Sequence, residues 1–85
     1  MSSIFGRPYK TASTSTHTLV IYHNVEWEEW VAVVRAHPLP GLNTKPVIVS
    51  THHTDSRDDA EYTGGTELIR ASEQNLRTPL DPNLY

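Results

Sequence analysis

The sequence contains no cysteine in its 85 residues. This excludes disulfide bonds, cysteine nucleophiles and zinc sites built on thiolates. It also lacks the run of about 20 apolar residues that a membrane span needs, and the first residues lack the apolar segment of a signal peptide. These absences predict a protein of the cytoplasm, or of a virus particle assembled there, with no membrane contact.

Large apolar residues are scarce as well. Leu, Ile, Val and Phe together account for 19 of the 85 residues, so the chain has room for one domain with a small core. Short chains without disulfides usually gain the missing stability from a metal, an oligomer or a larger partner. The composition therefore predicts one thin domain that contacts another macromolecule.

Basic clusters are absent, and the formal net charge is -3. Residues 1–25 contain two bases and no acid, whereas residues 26–85 contain five bases and ten acids. Such a body repels a phosphate backbone, which argues against nucleic acid as the partner. No glycine-rich phosphate loop, dinucleotide fingerprint or serine-nucleophile motif is present. We therefore expect a protein partner or a homo-oligomer, and no enzyme activity, cofactor or small-molecule substrate.

The two ends of the chain are predicted to be extended arms around a domain that spans residues 16–77. Residues 1–15 end in a run of Ser and Thr, and residues 78–85 contain two prolines that exclude regular structure. Bulky groups in irregular ends suggest contact with a neighbouring molecule. The predicted partner-binding residues of the arms are Phe5, Tyr9, Leu80, Leu84 and Tyr85.

Within the domain, the pattern predicts a strand, a helix and a second strand. Residues 16–23 and 47–53 are rich in β-branched residues, which favour strands. Asn24 can cap a helix that ends before Pro38. That helix would direct one apolar stripe at the sheet, formed by Trp27, Trp30, Val31 and Val34. Because Trp side chains also anchor interfaces, Trp27 and Trp30 could serve in binding too.

The region 60–76 has two interpretations. Gly64 and Gly65 could form the turn of a hairpin, or they could precede a helix over 67–76, which its good helix formers favour slightly. The predicted fold is therefore α+β: a small βαβ-like domain with a short sheet, one amphipathic helix, a possible second C-terminal helix and two extended arms.

Two polar clusters are candidate sites. If the strands are parallel, His23, His52, His53 and Asp55 lie at the carboxyl edge of the sheet, where ligands bind in open α/β folds. Two histidines and a carboxylate can hold zinc or iron, so His23, His53 and Asp55 are weak metal candidates. Adjacent strand residues point to opposite faces, however, which favours an ordinary structural role.

The second cluster is a predicted acidic loop that could present carboxylates to a partner. Its members are Asp55, Asp58, Asp59 and Glu61. Their spacing does not match a calcium-binding loop, so the alternative to partner binding is a solvated acidic surface.

Three functions follow from these observations, in order of preference. The first is a non-enzymatic structural or accessory subunit of a larger assembly, such as a minor, decoration or connecting protein of a virus particle. The second is a small acidic inhibitor or adaptor, for example one encoded by a phage, that binds a host protein through its acidic loop. The third is a small metal-dependent enzyme that uses His23, His53 and Asp55.

Overall fold

The computed structural model describes residues 6–38 and 46–77. The predictions made for Phe5 and for residues 78–85, including Leu80, Leu84 and Tyr85, lie outside the described residues.

The described chain forms a four-stranded antiparallel sheet followed by one helix. The strands are β1 (Arg7–Ser13), β2 (His17–Asn24), β3 (Glu29–Ala36) and β4 (Val47–Thr54), and the helix is α1 (Arg57–Gln74). Each strand pairs with the next in chain order, which makes a meander β1-β2-β3-β4. The helix packs on one face of the sheet, against β2, β3 and β4. The predicted α+β class is confirmed, whereas the βαβ arrangement is wrong.

Strands β2 and β4 confirm the two strands that the sequence predicts, within one residue at each end. Residues 7–13, which the sequence assigns to the N-terminal arm, pair with β2 as the edge strand β1. Nearly all of β1 is exposed. An edge strand is held mainly by its backbone and needs few apolar side chains, and for this reason its composition resembles that of an arm.

The helix predicted after Asn24 is wrong, because the chain forms a tight turn and then β3. The Asn24 side chain accepts a hydrogen bond from the Trp27 amide (3.3 Å), and Glu28 adopts a left-handed conformation with φ 50°. This reversal pairs β2 with β3 along all eight residues. In β3, the β-branched residues Val31 and Val33 face one side of the sheet and Val34 the other, and all three are buried.

The C-terminal helix is confirmed, and it is longer than the predicted 67–76. It begins at Arg57, and Ser56 is its N-cap: the Ser56 hydroxyl accepts a hydrogen bond from the Asp59 amide (3.1 Å). It ends at Gln74, and the C-cap residue Asn75 is left-handed with φ 49°. Gly64 and Gly65 lie inside the helix, so the hairpin alternative is wrong. The predicted acidic loop is also wrong for Asp58, Asp59 and Glu61, which belong to the first turns of α1.

Small residues let α1 approach the sheet closely. The core between them contains Leu19, Ile21, Ala32, Val34, Ala60, Leu68 and Ala71. The buried Gly64 also belongs to the sheet-facing side of α1. Because three of these core residues are alanines, the backbone of the helix lies near the strands.

The other face of the sheet has its own apolar cluster. Tyr22, Val31 and Val33 are buried there, and the Tyr22 hydroxyl accepts a hydrogen bond from Arg35 (2.8 Å). Thr51 pairs with Val33 in the β3–β4 ladder and therefore lies on the same face. Its side-chain oxygen is buried and has no hydrogen-bond partner among residues 6–38 and 46–77.

This unsatisfied hydroxyl predicts that Thr51→Val stabilises the protein. A buried hydroxyl without a partner costs roughly 1 to 3 kcal/mol, and Val has nearly the same shape. We expect the free energy of unfolding in urea to rise by about 1 kcal/mol. Thr11→Val, at an exposed position on β1, should change it by less than about 0.5 kcal/mol. A loss of stability in Thr51→Val would contradict the prediction.

Candidate protein-binding surface

The topology gathers several segments at one end of the molecule. Because neighbouring strands are antiparallel, β2 and β4 both end where β3 begins. The turn of residues 25–28 joins β2 to β3 at this end. Residues 55 and 56 follow β4 here and lead directly into the first turn of α1. We call residues 24–29 and 55–59 the acidic end.

Two large apolar side chains are exposed in the turn. Trp27 is 76% exposed and Val25 is 67% exposed. The turn is closed by a hydrogen bond from the Glu28 amide to the Val25 carbonyl (3.3 Å) and by the bond from the Trp27 amide to Asn24. Hydrogen bonds within the turn thus fix its backbone, and the Trp27 ring is exposed to solvent at the tip of the hairpin.

Carboxylates from two separate parts of the sequence lie at this end of the fold. Six of the ten acids of the chain belong to the acidic end: Glu26, Glu28, Glu29, Asp55, Asp58 and Asp59. Two have close partners among the described residues, since Glu29 lies 2.6 Å from the His53 ring nitrogen and Asp58 lies 3.8 Å from Arg57. Asp58 and Asp59 also stabilise the helix, because acidic side chains in the first turn are attracted to the positive end of the helix dipole.

An aromatic stack supports the base of this end. The Trp30 ring stacks on His23 with a centroid distance of 3.9 Å, and it meets the Tyr9 ring edge-on at 5.0 Å. A hydrogen bond with the Tyr9 hydroxyl raises the pKa of Arg57, and the charges of Asp58 and Glu61 raise it further. Tyr9, predicted as a partner-binding residue, is exposed and also links β1 to the start of α1.

The remaining acid of the predicted loop, Glu61, lies on the side of α1 that faces β1. It accepts a hydrogen bond from the Lys10 side chain at 3.3 Å. The structure therefore brings Asp55, Asp58 and Asp59 together with the turn, while Glu61 joins α1 to the edge strand.

The histidine candidates for a metal site do not converge. His23 pairs with Trp30, and His53 pairs with Val31. Because Trp30 and Val31 are adjacent in β3, His23 and His53 lie on opposite faces of the sheet. His52 lies on the helix side, 4.0 Å from Glu67. Among residues 6–38 and 46–77, no three His, Cys, Asp or Glu side chains are arranged to hold a metal ion.

The exposed turn is the feature that sequence reasoning missed. Trp27 and its neighbours were assigned to a helix, with Trp27 on the stripe facing the sheet. The available signal was the segment from Asn24 to Glu29, with three acids in six residues, between two β-branched runs; this is also the pattern of a hairpin with a short turn.

Helix α1 has a second exposed apolar patch on its outer side. Tyr62 and Ile69 are seven residues apart and therefore share one face of the helix, and both are exposed.

In the described part of the chain, no helix has the length and apolar character that a membrane span requires.

Comparison of this chain with protein-family models, curated proteins and solved structures found no match.

Proposed function

We propose that this protein is a non-enzymatic accessory subunit that binds another protein through its acidic end. The observation that carries the proposal is the exposed Trp27 at the tip of the β2–β3 hairpin. A Trp side chain in water forgoes a large favourable burial, and Trp is among the residues that contribute most to protein interfaces. A turn that is closed by its own hydrogen bonds also lowers the entropy lost on binding, because less backbone must be ordered.

The charges around Trp27 define the kind of partner surface that fits. The partner would offer an apolar pocket for Trp27 and Val25, surrounded by Lys or Arg that complement the six carboxylates of the acidic end. This is compatible with a minor, decoration or connecting protein of a virus particle, in which the chain ends would add further contacts.

A second candidate is a compact acidic inhibitor or adaptor that covers a basic groove of its target. The grouping of Asp55, Asp58 and Asp59 with the acids of the turn favours it, because six carboxylates then lie at one end of the fold. The two candidates differ in the source of affinity. Binding of an inhibitor that relies on charge weakens steeply with salt, whereas binding centred on Trp27 persists.

The test is site-specific photo-crosslinking in a lysate of the cells that express the protein. A photoreactive phenylalanine at position 27 should crosslink to one defined protein, identified by mass spectrometry, and the same group at position 62 serves as the control. Purified wild-type protein in excess should abolish the crosslink. Trp27→Ala should compete at least about 30-fold less well, since loss of an interface Trp commonly costs 2 kcal/mol or more.

The control variant is Tyr62→Ala, which removes an aromatic ring of similar exposure from the outer face of α1. Both variants should retain the wild-type free energy of unfolding, because neither side chain is part of the core. Equal competition by Trp27→Ala and wild type would overturn the proposal, as would the absence of any crosslink from position 27.

A further inference from the structure

The two edges of the sheet differ in their protection against pairing with another strand. Pro8 in β1 has no amide hydrogen to donate, the pairing register shifts between Pro8 and Lys10, and Lys10 adds a charge. Proline, irregular pairing and lysine are the devices with which natural proteins block an edge strand. The edge at β1 is therefore protected.

The edge at β4 has little of this protection. Val47–Thr54 contains no Pro, Gly, Lys, Arg, Asp or Glu. Five of its eight residues are Val, Ile or Thr. In the described part of the chain, β4 has a neighbour on one side alone, which is β3. The ladder has one irregularity, at Val49. Ser50–Thr54 is thus a regular stretch whose outer amides and carbonyls face away from β3.

The distribution of charge favours a second copy of this chain as the strand that pairs there. β4 runs from the end of the sheet that carries Arg35 to the acidic end, where Asp55 follows it. Arg77 also lies at the Arg35 end, since it donates a hydrogen bond to the His37 carbonyl. Two copies paired antiparallel through β4 would place the acidic end of each beside the Arg35 end of the other. A parallel pairing would set the acidic ends side by side, with like charges opposed.

We infer that β4 is the dimerisation edge, where two copies join antiparallel about a two-fold axis to form one eight-stranded sheet. Each copy contributes the regular stretch Ser50–Thr54, and the interface is isologous, as in most homodimers. This surface is distinct from the turn that carries Trp27, so each dimer would present two such turns.

Sedimentation equilibrium of the full chain from about 1 µM to about 1 mM tests the inference. We expect a monomer–dimer equilibrium, and hydrogen exchange of the amides of Ser50–Thr54 that slows as the concentration rises. The double variant His52→Lys/His53→Lys places two new charges on each edge. It should weaken the dimer at least about 30-fold, because like charges across an interface cost several kcal/mol.

The matched control is Thr11→Lys/Ser13→Lys, which adds the same charges to the edge at β1 and should leave the dimer unchanged. Trp27→Ala should also leave it unchanged, which separates this inference from the proposed function. A monomer over the whole range would overturn the inference, and so would equal weakening by both double variants. If the β4 variant fails to fold, the concentration dependence of exchange in the wild-type chain decides the question.

Discussion

Replacing His17 with Ala is expected to lower the free energy of unfolding by about 3 kcal/mol. The imidazole is fully buried. Its Nε2 donates to the Leu76 carbonyl at 2.7 Å, and its Nδ1 lies 2.8 Å from the Thr16 hydroxyl. The ring thereby attaches the segment after α1 to the start of β2. Truncation leaves a cavity and a carbonyl without its donor.

Urea denaturation of three variants tests this role of His17. In His17→Gln, the side-chain amide can reach the position of Nε2 and donate to Leu76, so this variant should lose less stability than His17→Ala. His53→Ala removes the same group from an exposed position paired with Glu29. An exposed ion pair contributes at most about 1 kcal/mol, and we expect a change within that limit. If His17→Ala and His53→Ala have equal stabilities, the assigned role of His17 is wrong.

Local composition predicted the elements in which residue propensity and tertiary contacts favour the same secondary structure. The β-branched runs of β2 and β4 form strands, and the good helix formers after Gly65 form helix. β3 was mispredicted because its residues are buried on both faces, so no alternation of apolar and polar residues marks it as a strand. The stripe of Trp27, Trp30, Val31 and Val34 fits a helical period by coincidence. Asn24 added to the error, since the same side-chain hydrogen bond caps a helix or closes a turn.

The acidic end could be predicted only in part, for a topological reason. Asp55, Asp58 and Asp59 were predicted to bind a partner, which stays a prediction, and they lie at one end of the fold. The acids of the turn reach the same place only because β3 runs antiparallel to both β2 and β4. Strand order and direction depend on contacts between residues distant in sequence, which no local pattern encodes. The same topology places β3 between His23 and His53, which separates the predicted metal candidates.

The two adjacent glycines of α1 provide a matched pair with opposite expected outcomes. A Cβ on Gly64 would lie 2.9 Å from a methyl group of Leu19 and 3.1 Å from the Cβ of Ala32, whereas a Cβ on Gly65 would have no heavy atom of the described residues within 4 Å. In Gly64→Val, the Leu19 side chain must move or the helix must shift away from the sheet, and we expect the free energy of unfolding to fall by about 3 kcal/mol.

Gly65→Val makes the same chemical change one residue further along the same helix. Val is a better helix former than Gly, so we expect a gain of about 0.3 kcal/mol where the side chain meets only solvent. Urea denaturation of both variants therefore isolates packing from helix propensity, because propensity contributes equally at the two positions. Equal stabilities would mean that α1 does not approach β2 and β3 through Gly64. A large difference would show that close approach to Leu19 and Ala32 explains why a helix tolerates glycine at this position.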